Sequence, residues 1–328
     1  MSDSLGPQTG ATLPQSHNPK LAGVWAAPIA LAVITAGLSI LNPGLLIFVP
    51  LAFMLMALQP RKPWLMVVAV VLLVSTFTGK TGGVLWWYGR GWALILSAWF
   101  ILAIVLLRTT SVLARSLVAL SGSVLTVTLL FVGNRGGWYA LDSAVGNQLR
   151  TAAADVVSFW GTRMQGKQWA EGLTSSIYRF TEFQTTAFPA LLAIASISGL
   201  ALAWWLWRRL AVQERRPLGL LRDFRFTDEL IWLVVVGVVL IVAPLDGAVA
   251  DRTGTNLLTF MAALYAVRGL AVMIALFGTP GLLGMLFGAL VFLMLYPIVM
   301  ATTLMVGLTD TWLDLRARRL TRQDNEKH

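Results

Sequence analysis

The fold of this chain is decided by its most basic stretch, Arg208-Arg-Leu-Ala-Val-Gln-Glu-Arg-Arg-Pro-Leu-Gly-Leu-Leu-Arg-Asp-Phe-Arg225. It holds six arginines and two acids, and it lies between two apolar runs, Ala187 to Trp207 and the run that starts at Leu230. Arginine and lysine gather in the loops that stay on the cytoplasmic side of a membrane. This stretch, called the basic collar below, therefore predicts a cytoplasmic loop between two membrane helices.

The composition places the chain in a membrane. Of its 328 residues, 57% are hydrophobic and only 12% are charged, which is far from the average of soluble domains. Several of its 14 tryptophans stand where apolar runs end, as the aromatic belts of membrane proteins do. The formal net charge of +10 comes largely from arginines at the ends of apolar runs and not from one basic domain. It indicates attraction to anionic lipid headgroups, and we expect no nucleic-acid partner.

Cysteine and histidine are too scarce for most metal and nucleophile chemistry. The chain has no cysteine, which excludes disulfides, thiolate catalysis and iron–sulfur clusters. Its two histidines, His17 and His328, lie in the polar tails. We therefore expect no imidazole site at membrane depth, no cofactor, no bound metal and no catalytic residue, hence a protein that is not an enzyme.

The apolar runs predict an all-α fold, a polytopic transmembrane helical bundle of about eight to ten membrane segments. Nine crossings from a cytoplasmic N-terminus would put the basic C-terminal tail outside, against the positive-inside rule. Either Pro297 divides the last run, or one short run does not cross, or the N-terminus is external; we favour a cytoplasmic tail. The predicted parts are a disordered tail (1–20), N-terminal membrane helices (21–132), an external amphipathic helical insert (133–186), C-terminal membrane helices (187–309) with the basic loop 208–229, and a basic cytoplasmic tail (310–328).

The insert has nearly balanced charge, which suits a translocated loop. Its apolar residues recur at helical spacing in two groups and predict two amphipathic helices, parted near Gly161 or Gly166. The groups are Leu149, Ala153, Val156, Trp160 and Met164, and then Trp169, Leu173, Ile177 and Phe180.

Arg268 is the charge placed deepest in an apolar run. An unpaired arginine there costs roughly 2.5 to 3.5 kcal/mol on insertion scales, so it should face a partner or a cavity. It is our candidate ligand-binding residue, pairing with a carboxylate or with an anionic group of a ligand. The alternative is that the helix is tilted and that Arg268 extends to the cytoplasmic surface.

Asp310 and Asp314 are four residues apart, which places them on one helical face. Such a pair can hold Mg²⁺ and a diphosphate. The alternative, which we favour, is that Thr309 or Asp310 caps an interfacial helix and that Asp314 pairs with Arg318. We assign both acids to a cytoplasmic interface together with Arg208, Arg209, Arg215, Arg216, Arg225 and Arg316.

Two pairs of small residues suit close helix contacts, either within the bundle or with a partner. They are Ala26 and Ala30 in the first span and Gly284 and Gly288 in the last.

Two stretches resemble a known family. One is Phe224-Arg-Phe-Thr-Asp-Glu-Leu-Ile-Trp232, which resembles the F-R-x-P-x-x-L-x-W pattern of the YybS-like uncharacterised bacterial membrane proteins (domain of unknown function 2232). The other is Gly307-Leu-Thr-Asp-Thr-Trp-Leu-Asp-Leu-Arg316, which is similar to that family's L-G-x-x-D-x-W-x-D-F-R ending. The family is distantly similar to the substrate-binding components of energy-coupling-factor transporters. The resemblance implies a ligand-binding or transport-associated protein in which Ala26 and Ala30 form the partner surface.

Three functions follow as hypotheses. The first is a multi-pass protein of the bacterial inner membrane that binds or helps transport a small solute. The second is a non-catalytic scaffold whose basic collar and tail dock a membrane or cytoplasmic protein partner, or anionic lipid. The third is a membrane enzyme that uses Asp310 and Asp314 with a divalent metal, and we rank it last.

Overall fold

The computed structural model describes residues 22–58, 62–78, 82–132, 136–161, 169–214, 218, 221, 224–243, 247–278, 284, 287–288, 290–291 and 294–314. Within these residues the chain forms ten α-helices and no strand, which confirms the predicted all-α fold. The helices are α1 (Ala22–Leu38), α2 (Pro43–Ala57), α3 (Trp64–Phe77), α4 (Gly83–Leu106), α5 (Val112–Val132), α6 (Gly137–Gly161), α7 (Trp169–Trp207), α8 (Ile231–Val242), α9 (Ala248–Phe277) and α10 (Tyr296–Leu313).

In the part of the chain that the structure describes, four helices are long and apolar enough to cross a membrane: α4, α5, residues Glu171–Val212 around α7, and Val249–Phe277 of α9. The shorter apolar helices include α2, α3, Ala27–Leu38 of α1 and Ile298–Leu313 of α10. Large apolar side chains are exposed along these helices, as on α3, where Val67 is 64% exposed. A water-soluble protein rarely exposes such a surface, which suits contact with lipid.

Helix α7 lies at the centre and packs against α1, α2, α5, α6 and α9. Its approach to α2 depends on Gly199, because a Cβ at this position would lie 2.7 Å from the carbonyl oxygen of Leu46. Leu46 and Leu200 are fully buried in the main hydrophobic cluster, beside Phe100 of α4. Phe100 meets Trp204 of α7 edge to face, with 6.4 Å between ring centroids.

The positive loops lie at one end of this bundle, called the basic end below. Leu58, Val112 and Trp207, from the ends of α2, α5 and α7, pack against the same hydrophobic cluster. The loops between α2 and α3 and between α4 and α5 therefore lie near the start of the collar. The charges brought together are those of Lys62, Arg108, Arg208 and Arg209.

The helices formed by the predicted insert pack against the bundle at the end opposite the basic end. Helix α6 pairs with the first half of α7 through the exposed ion pair Arg150–Glu182, with 3.2 Å between Nε and Oε1. The sequence indicated separate helices before and after about residue 186, but α7 is one helix of 39 residues. Residues 181–186 contain neither glycine nor proline, so nothing there ends the helix.

Pro189 stands inside α7, and α9 supplies the hydrogen bonds that it disturbs. Proline has no N–H to donate to the carbonyl of Thr185, and Arg252 of α9 donates to that oxygen at 3.4 Å. Asn256 bridges the next turn, since its Nδ2 donates to the carbonyl of Thr186 at 2.8 Å and its Oδ1 accepts from the backbone of Ala190 at 2.9 Å. Hydrogen bonds of Arg252 and Asn256 therefore fix α9 against α7 beside Pro189.

Candidate functional site

Helices α8 and α10 cover different parts of α9. Helix α8 lies along its first half, where Gly237 contacts Leu258. Helix α10 lies antiparallel along its second half, because Gly269 contacts Thr303 and Gly307 contacts Tyr265. The beginning of α8 and the end of α10 therefore approach each other beside the middle of α9.

Two glycines set the close approach of α9 and α10. A Cβ on Gly269 would overlap the carbonyl oxygen of Thr303, and a Cβ on Gly307 would overlap the carbonyl oxygen of Tyr265. Small residues permit such backbone contact between membrane helices. Together they bring the next charged residue of α10, Asp310, within reach of α9.

Arg268 of α9 lies at this junction and is only 2% exposed. Its Nε donates to Oδ2 of Asp310 on α10 at 3.1 Å, and its Nη1 donates to Oδ1 of Asp228 at 2.7 Å. Asp228 opens a 3-10 turn, Asp228–Leu230, that leads into α8. One buried guanidinium therefore joins α9 to α10 and to the beginning of α8.

The two carboxylates on Arg268 differ in environment. The side chain of Asp310 is 0% exposed, whereas that of Asp228 is 63% exposed. An apolar wall surrounds the pair, since the ring of Phe226 lies 5.2 Å from the Arg268 guanidinium and meets Tyr265 edge to face. Asp310 is fixed within a helix, and Asp228 faces outward on a short turn.

A second ion pair closes the same junction from outside. Arg225, the last residue of the collar, pairs with Asp314 at the C-cap of α10. Both side chains are about half exposed, at 51% and 49%. The two stretches that carry the family resemblance, 224–232 and 307–316, are thus joined by the pair Arg225–Asp314 and, through Arg268, by Asp228 and Asp310.

The sequence model of a family of predicted membrane proteins, which share the domain of unknown function DUF2232, matches residues 26–311 of the chain. The chain belongs to the DUF2232 family. No curated protein and no solved structure matches the chain.

In this DUF2232 protein Arg268 lies between two aspartates and does not extend to a surface. The predicted carboxylate partner is present, and the tilted alternative does not describe the residue. Whether Arg268 binds a ligand stays a prediction. Asp228, one of its two partners, was not recognised from the sequence, although its position just before an apolar run in the resembling stretch was a usable signal.

Asp310 lies within α10 and Asp314 is its C-cap residue, and the two bind different arginines. Asp310 is a residue of the helix and not a cap at its start, and Asp314 pairs with Arg225. The alternative partner, Arg318, lies outside the described residues. Among the residues that the structure describes, no group of three or more possible metal ligands comes together.

Of the other arginines assigned to the cytoplasmic interface, Arg208 and Arg209 lie at the basic end. Arg208 pairs with Glu214 and lies 5.5 Å from the ring centroid of Trp204, while Arg209 lies 5.7 Å from that of Trp205. Arg215, Arg216 and Arg316 lie outside the described residues.

Three of the four predicted small residues have a described environment, and all three are exposed. Ala30 is exposed on α1, and nothing is described of the Ala26 side chain. Gly284 and Gly288 are exposed, and a Cβ at Gly288 would meet no described atom within 4 Å. A role for these residues in binding a partner stays a prediction. The seams that the structure shows use Gly199, Gly237, Gly254, Gly269 and Gly307 instead.

Arg115, near the start of α5, is also buried. It is 8% exposed and turns back to the end of α4. Its Nε donates to the carbonyl of Leu107 at 2.9 Å and its Nη2 to that of Arg108 at 2.8 Å. It satisfies carbonyls that a helix end leaves without partners.

A cavity of about 180 Å³ lies toward the opposite end of the bundle. Its wall is apolar and does not include Arg268. The residues that line it include Leu41, Trp87, Tyr88, Phe131, Val145 and Phe188.

Proposed function

We propose that this DUF2232 protein is a multi-pass protein of the bacterial inner membrane that binds a small solute at the Arg268 junction and contributes to its transport. The observation that carries the proposal is the buried guanidinium of Arg268, held where α8 begins and α10 ends beside an unbroken α9.

Stability alone gives little reason for such a group. Replacing a buried ion pair by well-packed apolar residues is often neutral or stabilising. Ionisable residues inside membrane segments are rare and usually mark ligand or ion pathways. Arg268 lies five residues past the middle of the span Val249–Phe277, or ~8 Å along the helix axis.

The meeting of the beginning of α8 with the end of α10 supports the same function. Binding sites of secondary transporters often form where helices are broken within the membrane, because the helix ends there present polar groups to the solute. At the junction these ends carry Asp228 and Asp314. The resemblance to substrate-binding components of transporters also favours this function.

The test is native mass spectrometry of the whole protein, purified in a gentle detergent. The wild type should retain a small molecule that the double variant R268M/D310L loses. Because this variant removes both buried charges together, it should fold, whereas R268M alone would leave the Asp310 carboxylate buried without Arg268. The control is R252M, which breaks an ion pair of the same helix with Asp142, far from the junction. Equal retention by all three proteins would contradict the proposal.

A second candidate function is supported by the basic end, whose cations suit a scaffold that docks a cytoplasmic partner or anionic lipid. Lys62, Arg108, Arg208 and Arg209 gather there, and among the described residues Glu214 pairs with Arg208. Each such charge near a membrane surface contributes about 1 kcal/mol of attraction to anionic lipid. Mass spectrometry of R208Q/R209Q would then show a loss of bound subunit or anionic lipid, with the small molecule retained.

A further inference from the structure

We infer that the solute at the Arg268 junction carries a single carboxylate on an apolar body, and that this carboxylate takes the place of Asp228 on Arg268. The inference rests on the proposed function and deepens it by naming the chemical class of the solute.

The two partners of Arg268 are unequal, and only one of them can leave easily. Asp310 is enclosed in α10, whose backbone is pressed against α9 at Gly307. Asp228 lies on a three-residue turn with its side chain 63% exposed, so water or headgroups can solvate its carboxylate when it swings away. Displacing the Asp228 carboxylate from Arg268 therefore costs little free energy. Displacing Asp310 costs much more, because its charge would stay buried without a partner.

The guanidinium also has unused capacity. Arginine presents five N–H donors, and carboxylates bind it through two parallel hydrogen bonds. Asp310 uses Nε and Asp228 uses Nη1, while Nη2 makes no hydrogen bond with any described residue. A carboxylate that replaces Asp228 could bind Nη1 and Nη2 together.

Charge favours a monocarboxylate over a phosphate. Arg268 is already shared by two carboxylates, and a carboxylate that replaces Asp228 leaves the local charge unchanged. A phosphate dianion would bring a second negative charge close to Asp310, where burial strengthens repulsion.

The surroundings favour an apolar body behind the carboxylate. Phe226 and Tyr265 stand edge to face beside the guanidinium, with 5.2 Å between their centroids. Leu264, Leu304 and Leu308 belong to the same hydrophobic cluster. A solute anchored on Arg268 at the Asp228 position would lie beside the half-buried ring of Phe226, at the edge of this cluster.

Benzoate is the probe, with benzamide as its uncharged analogue of the same shape and inorganic phosphate as the competing anion. The measurement is the thermal unfolding midpoint of the whole protein in lipid nanodiscs, as a function of probe concentration. Benzoate should raise the midpoint of the wild type, whereas benzamide and phosphate should have little effect. The double variant R268M/D310L should show no response to benzoate.

The decisive variant is D228N, which removes the competing charge and keeps the side-chain volume. It should respond to benzoate at an about tenfold lower concentration, because the free protein no longer spends most of its time with Asp228 on Arg268. The matched control D142N removes an aspartate from the other arginine of α9, Arg252, and should respond as the wild type does.

Three results would overturn the inference: equal responses to benzoate and benzamide, a response to phosphate as strong as that to benzoate, or no difference between D228N and D142N. A retained molecule that carries no carboxylate, yet is lost from R268M/D310L in mass spectrometry, would overturn the inference and leave the proposed binding function standing.

Discussion

Arg225 and Asp314, 89 positions apart in the sequence, form an ion pair that joins the end of the basic collar to the end of α10. Further into the protein, Arg268 joins α9 to the same two regions. The outer pair is half exposed, whereas the Arg268–Asp310 pair is almost fully buried. The same chemistry should therefore have very different consequences for stability at the two places.

We predict that D314N costs less than about 1 kcal/mol of unfolding free energy, as exposed ion pairs usually do. Replacing Asp310 by Asn should cost about 3 to 5 kcal/mol, because the buried Arg268 then loses a charged partner. Equilibrium unfolding in mixed detergent micelles measures both. Equal losses of unfolding free energy in the two variants would contradict the difference in burial between the Arg225–Asp314 and Arg268–Asp310 pairs.

The buried pair also predicts strong coupling. R268M and D310L should each destabilise the protein by several kcal/mol as single variants, whereas the double variant should regain most of the loss because no buried charge is left unpaired and Asp228 is exposed to solvent. The check is a double-mutant cycle of unfolding free energies. Simple additivity of the two single effects would contradict the pairing of these residues.

The sequence predicted the kind of protein and the location of its charges better than its contacts. Apolar runs mark membrane helices because lipid demands them, and Arg268 was conspicuous because a charge within such a run is costly. The partners of Arg268 were not predicted, since Asp228 and Asp310 lie 40 and 42 positions away along the chain. Their meeting depends on the antiparallel packing of α9 and α10.

Local patterns were misleading where tertiary contacts override them. Pro189 suggests a break, but α7 continues because Arg252 and Asn256 of a distant helix bind its free backbone groups. Glycines were equally ambiguous, because Gly288 and Gly269 look alike in an apolar run. Only packing distinguishes the exposed glycine from the one in contact with another backbone.

We predict that G269A is strongly destabilising, because its methyl group would overlap the backbone of Thr303 and force α9 and α10 apart. G288A is the matched control on an exposed helical position, where alanine should be neutral or stabilise by about 0.5 to 1 kcal/mol. Thermal unfolding of both variants in detergent would compare them. Equal stability would contradict the close contact.

The polar bonds at Pro189 give a further prediction. N256A should cost about 1 to 3 kcal/mol, since it leaves the carbonyl of Thr186 and the N–H of Ala190 without their side-chain partner. Replacing Pro189 by Ala in the same protein should reduce this cost, because a regular helix can then pair these groups internally. An unchanged cost of N256A in the P189A background would show that the proline is not the reason for the bonds.

The absence of cysteine makes the orientation of the bundle directly testable, because single cysteines can be introduced without a background. The positive-inside rule predicts that the basic end faces the cytoplasm and that the helix following residue 169 begins on the other side. K62C should therefore react with a membrane-impermeant maleimide only after the cells are broken. E171C, at an exposed position of α7, should react in intact spheroplasts. The opposite pattern would invert the bundle and place the Arg225–Asp314 pair nearer the outer face, so that a solute displacing Asp228 would have to reach Arg268 from outside the cell.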